Sequence, residues 1–155
     1  MSHLVEKLLQ EASFGHMLSG STVARFLPSE IRQAVQELVG EERIDMADAL
    51  VEAGLALHPN SADILAIGAL VAMVRQDWPQ SIELLMKLMD VQGSEVQPFS
   101  HVMFVRALRS NLEPAAALAA TVVGLTQYPD HTELLAEQIA LFEMAGMTHD
   151  AAAID

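Results

Sequence analysis

Apolar residues recur at three- and four-residue intervals along most of the chain, and Pro and Gly cut that pattern into segments of helical length. In "SHLVEKLLQEASFGHML", Leu4, Val5, Leu8, Leu9 and Ala12 share one face, which predicts a helix over 2–17 before "SGST" interrupts it. After Pro28, "SEIRQAVQELVG" repeats Ile31, Ala34, Val35 and Leu38 and places Ser29 as a possible cap. "DMADALVEAGLAL" follows and halts at His58-Pro59-Asn60. Asn60 or Ser61 can cap a helix from Asp63 to Arg75, and "QDWP" turns the chain into another from Pro79 to Asp90. A looser loop over 91–97, "VQGSEVQ", precedes "PFSHVMFVRALRS", and "NLEP" makes a short turn into "AAALAATVVGLTQ". Beyond Tyr128-Pro129-Asp130, "HTELLAEQIALFEMAG" turns at Gly146 into a short final "THDAAAID". The pattern predicts an all-α chain of helices joined by short connections, which makes sequential helices antiparallel neighbours.

Two stretches, "GLALHPNSADILA" at 54–66 and "GLTQYPDHTELLA" at 124–136, share Gly, Leu, Pro, Leu and Ala at matching places. Twelve residues before their prolines stand Ala47 and Ala117; Ser81 and Ala151 extend the series of small residues, with separations of 34, 36 and 34. In register with them, the helices before each turn carry Ile31, Ala34, Val35 and Leu38; Leu65, Gly68, Ala69 and Ala72; His101, Phe104, Val105 and Leu108; and Leu135, Gln138, Ile139 and Phe142. All but His101 and Gln138 are apolar or small, as close helix–helix contact requires. "DWPQSIELL", with Trp78 in the aromatic place, and "MAGMTHDAAAI", with Gly146 and Ala151 in register, complete the pattern.

On these residues the chain resembles tetratricopeptide-repeat (TPR) proteins, whose unit is a 34-residue helix–turn–helix. The resemblance covers about residues 28–155, as three units and a truncated fourth. It departs from the family in lacking the Gly-Tyr pair in most first helices and in the insertion at "VQGSEVQ". It implies a right-handed superhelix of antiparallel hairpins over 28–155, preceded by an N-terminal helix and linker over 1–27. It also implies that the first (A) helix of each unit lines a concave groove and the second (B) helix the outer wall. The groove-facing places include Arg32, Leu70, Met73, Phe99, Val102, Arg106, Arg109 and Glu143, the expected partner-binding residues. Arg106 and Arg109 can grip a partner carboxylate or carbonyl, or pair with this chain's own acids. The places of the family's carboxylate clamp hold Arg32 and Gln36, then Ala66 and Leu70, so a chaperone C-terminus is not the expected ligand.

Composition narrows the function. With 52% hydrophobic residues and only seven aromatics (five Phe, one Trp and one Tyr), the chain suits a packed helical protein. The 21 acids against 8 bases, net −13, repel a nucleic-acid backbone. No Lys or Arg follows Arg109, while seven acids do, which is either a solvated face or a surface for a basic partner. The chain has no Cys, and its longest uncharged apolar runs, 64–74 and 115–125, are 11 residues each, so the expectation is a cytoplasmic protein with no membrane span.

The six His residues (3, 16, 58, 101, 131 and 149) are scattered, no pair stands at i+3 or i+4, and no catalytic or phosphate-binding motif occurs. Glu133 and Glu137 share a face and read as solvated rather than as an acid–base pair. No enzyme, cofactor or metal is expected. The expectation is a non-catalytic binding module. In size, acidity and layout it resembles the small cytoplasmic TPR chaperones and assembly factors of bacterial type III secretion, which implies a secreted subunit as partner. The alternative is a general TPR scaffold or a homo-oligomer joined through the apolar stripe of residues 4–12.

Overall fold

A computed structural model describes residues 4–6 and 23–146. Seven α-helices run through residues 28–144: α1 (Pro28–Gly40), α2 (Ile44–Leu57), α3 (Ala62–Val74), α4 (Trp78–Gln92), α5 (Pro98–Ser110), α6 (Pro114–Gln127) and α7 (Thr132–Met144). A 3-10 turn, Gly93–Glu95, precedes α5, and the described residues contain no strand. The predicted all-α class is what the chain adopts. Most of the helix expected over 2–17, and the short segment after Gly146, lie outside the described residues.

Prolines set three of the starts. Pro28, Pro98 and Pro114 each occupy the first turn, where a missing N–H costs nothing. The first of these moves the boundary back from the expected Ser29 cap: Leu27 is the cap residue, and the Glu30 carboxylate accepts its N–H at 3.0 Å. Ser61 does cap α3, its Oγ accepting from Ile64 N at 3.4 Å. The expected loop at 91–97 is shorter than its composition suggests, because α4 continues to Gln92.

The turns repeat with the period of the sequence. Glu42, Gln76, Leu112 and Gly146 all adopt positive φ, between 60° and 73°. Behind the first three, a pair of bonds closes each helix: Glu42 N–H to Val39 O with Arg43 N–H to Leu38 O, Gln76 to Met73 with Asp77 to Ala72, and Leu112 to Arg109 with Glu113 to Leu108. This is the Schellman arrangement, which satisfies carbonyls the helix end would leave orphaned. The junctions "HPN" and "YPD" match in the same way. His58 N–H and Tyr128 N–H each bond the helix behind at 2.8 Å (Gly54 O, Gly124 O), and Ser61 and His131 N–H each reach back three residues at 3.2 Å.

The helices fall into two compact units, one ending at Gln92 and one beginning at Gly93. In the first, α1 to α4 pack as two antiparallel hairpins around Ile31, Val35, Leu38, Leu50, Val51, Ile64, Ile67 and Val71. Leu4 and Val5 are buried in that same cluster, so these two residues of the N-terminal stripe cover their own first unit. In the second, α6 packs on α5 and α7 on both. Glycine permits the closest approaches. A Cβ on Gly54 would stand 3.4 Å from Ile31 and 3.3 Å from Ile64; one on Gly124 would stand 3.2 Å from His101 and 3.0 Å from Leu134. Every residue of the second set lies 70 positions after its counterpart in the first.

Candidate functional site

The expected groove residues belong to both units. In the first, Arg32 is exposed and its Nη1 donates to Asp63 Oδ1 at 2.9 Å, from α1 to α3. Leu70 and Met73, on α3, are half-buried, and Leu70 packs against the core cluster. Arg75, which the groove register omits, pairs with Asp48 Oδ2 at 3.1 Å.

In the second unit the A-helix surface carries more chemistry. Arg106 Nε donates to Glu137 Oε1 at 2.9 Å and its Nη2 to Glu133 Oε2 at 3.1 Å. Arg109 Nη2 donates to Glu137 Oε1 at 3.2 Å and lies 2.9 Å from Oε2, a close ionic contact without hydrogen-bond geometry. The Glu137 side chain is 8% exposed, whereas that of Glu133 is 56% exposed. The expectation of a solvated carboxylate pair therefore fails at Glu137: with two guanidiniums converging on it from α5, the carboxylate can leave water. Of the two readings of Arg106 and Arg109, pairing with the chain's own acids is the one this geometry contains.

Beside this cluster opens a cleft of about 320 Å³ lined by Phe99, Val102, Met103, Arg106, His131 and Glu133. Three expected groove residues, Phe99, Val102 and Arg106, meet here. Phe99 is 52% exposed at the start of α5, Val102 and Met103 are buried and form an apolar floor, and the Arg106–Glu133 pair forms a charged rim. Glu143 lies exposed near the other end of α7 and does not line the cleft. His131 and Met103 were not expected, because neither occupies a groove-facing place; His131 enters as the residue capping α7, and its buried Nδ1 has no hydrogen-bond partner.

A polar network braces the same unit. His101, buried on α5, shares a 2.9 Å hydrogen bond between its Nε2 and Gln127 Oε1. Gln127 Nε2 donates to Ser94 O at 3.3 Å and Tyr128 Oη to Val96 O at 2.6 Å, which ties the 3-10 segment to the end of α6. Tyr128 also meets the His101 ring edge-on at a centroid distance of 6.0 Å. Among the described residues no three His, Asp or Glu side chains gather as a metal site would need, and no helix is long and apolar enough to cross a membrane.

Solved structures share this architecture. MamA superposes with a TM-score of 0.70 at 16% identity over 96% of this chain and 88% of its own. The TPR-like repeats of a Podosopora anserina kinesin light chain give 0.69 at 17% identity over 96% and 80%. The chain has a TPR-like fold. YrrB, described as a TPR protein with an unusual peptide-binding site, gives 0.65 at 15% identity over 80% of this chain and 63% of its own. At these identities the likeness is one of fold. No protein-family model matches the chain, and no curated protein does.

Proposed function

We propose that this TPR-like chain is a non-catalytic protein-binding module that holds a partner segment against its A-helix surfaces. The observation that carries the reading is the cleft on α5 and α7. An apolar floor, a half-exposed Phe99 and a rim whose charges are already balanced suit an apolar side chain of a bound segment better than a free carboxylate. On the second unit Arg109 and Glu143 are assigned supporting contacts, and Arg32, Leu70 and Met73 are assigned partner contacts of the first unit's own A-helix surface. The more specific role is that of a cytoplasmic chaperone or assembly factor of bacterial type III secretion, supported by the TPR-like layout and the net charge of −13.

The test is native co-purification from the source cell, with bound chains identified by mass spectrometry, for the natural protein and for Phe99→Asp. Phe99 is half-exposed, so the variant keeps the fold, which a thermal melt verifies. Recovery of one small secreted subunit, lost in the variant, supports the chaperone role. A different partner lost in the variant supports the binding module but not the secretion role. Recovery of only its own copies points to a homo-oligomeric scaffold and overturns the reading.

A further inference from the structure

The four A helices present equivalent faces that meet unequal fates. Ile31, Ala34, Val35 and Leu38 on α1 are fully buried, as are Leu65, Ala69 and Ala72 on α3 and, nearly so, His101, Val105 and Leu108 on α5, where Phe104 is half-buried. In each case the following B helix provides cover: Gly54 of α2 lies against Ile31, Leu84 of α4 against Gly68, and Gly124 of α6 against His101. The matching residues of α7 are Leu135, Gln138, Ile139 and Phe142. Among the described residues Leu135 remains 37% exposed and Ile139 56%, with Phe142 half-buried.

We infer that this face of α7 is a second docking surface, distinct from the cleft, for a basic amphipathic helix of a partner protein seated in the register of a B helix. The covering helices of this chain specify the pattern. α2 and α6 each place two small residues seven apart, Ala47 with Gly54 and Ala117 with Gly124, and both pairs are buried. Between them, three and four places after the first, stand Leu50 and Val51 in α2 and Ala120 and Thr121 in α6. A helix that fits α7 therefore carries a small residue, two apolar or small residues three and four places on, and a second small residue at the seventh. Charge supplies the rest. From Ser110 to Gly146 there is no Lys or Arg, while Glu113, Asp130, Glu133 and Glu143 are exposed; Glu143 follows Ile139 by four residues and so flanks this face. Lys or Arg at that edge of the incoming helix would meet the Glu143 carboxylate, Glu133 being already paired with Arg106.

The experiment uses the full chain and two labelled peptides built on residues 114–127, the helix that covers the equivalent face of α5. One carries Ala119→Lys, Val122→Lys and Thr126→Lys, all at exposed positions of α6, and the other carries Glu at the same three places. Fluorescence anisotropy should show saturable binding of the lysine peptide, at least tenfold weaker binding of the glutamate peptide, and at least a tenfold loss for Ile139→Asp. Leu27→Asp, at an exposed residue of the first unit, should leave affinity unchanged. The milder Ile139→Ser, which should lose affinity in the same direction, guards against misfolding of the aspartate variant. No binding of either peptide, or equal binding to the Ile139 variants, overturns the proposal. A dimer in sedimentation that Ile139→Asp dissolves assigns the face to a second copy and overturns it as well. A tenfold gain in peptide affinity on Ala151→Asp with Ile154→Asp assigns the face to the chain's own last residues, with the same consequence.

Discussion

Leu112 holds φ at 60° while 84% exposed, so its side chain contributes little burial and its backbone carries the strain of a left-handed conformation. Gly146 stands at the same place in the next turn. Leu112→Gly removes a conformational cost of about 1–2 kcal/mol, against an unfolded-state entropy loss of about 0.4–1 kcal/mol. The expected outcome is a stabilisation of about 0.5–1 kcal/mol, read as a rise in melting temperature; Leu112→Ala, which keeps a Cβ, should give no such rise. The buried glycines reverse the sign. A methyl on Gly124 would press on the Leu134 side chain at 3.0 Å and on the stiffer base of His101 at 3.2 Å. Overpacking of about 1–3 kcal/mol outweighs the gain of about 1 kcal/mol in helix propensity. Gly124→Ala should therefore lower the urea midpoint, whereas Gly40→Ala, with open space around the added methyl, should raise it.

Between elements, the tie from α5 to α7 rests on one buried carboxylate. Removing Glu137 leaves two guanidiniums that remain only partly exposed, at 41% and 34%, and short of their anion. Because solvent can reach both, the loss for Glu137→Ala should fall below the figure for a fully buried pair, at about 2–3 kcal/mol. Glu133→Ala, at the exposed end of the same cluster, should cost less than about 1 kcal/mol. Chemical denaturation of the two variants measures the contrast, and equal losses would show that burial is not what sets the strength of the tie. This tie marks the limit of what a linear pattern reveals. Helix positions were legible because Pro, Gly and the spacing of Ile31, Val35 and Leu38 act within a few residues of one another. The turns themselves were legible in "QDWP" and "NLEP", but not their backbone, since Glu42, Gln76 and Leu112 adopt a conformation that normally announces itself with glycine. The burial of Glu137 was not legible at all: its partners lie 28 and 31 residues away, and on its own helix it reads as a solvated acid. In the same way Phe99, Val102 and Arg106 could be placed on one helical face, but His131 joins their cleft only through the turn that starts α7.

For the molecule as a whole, the distribution of buried surface sets where it opens. α3 buries Ile64, Leu65, Ile67, Gly68, Ala69, Val71 and Ala72, nearly every side of the helix, and its pattern is accordingly apolar all round. α7 buries only Leu134, Glu137 and Leu141, with Gln138, Ala140 and Phe142 half-buried and the remainder exposed, although the two helices have the same length. Repeat proteins draw their stability from neighbouring elements, so a helix covered on both sides opens only when its unit does, while one covered on a single side frays locally. Native-state hydrogen exchange should therefore find the slowest amides of the first unit in α3, and in the second unit slower exchange in α5 than in α7. Binding at the exposed α7 face would reverse the second part of that order, because cover that the described residues do not supply would come from the ligand. Adding the lysine peptide should then slow exchange of the α7 amides around Leu135 and Ile139 more than those of α5. Protection of α7 equal to that of α5 without any ligand would mean the face is already covered, and the stability of the second unit would have to be sought in contacts beyond those three buried residues.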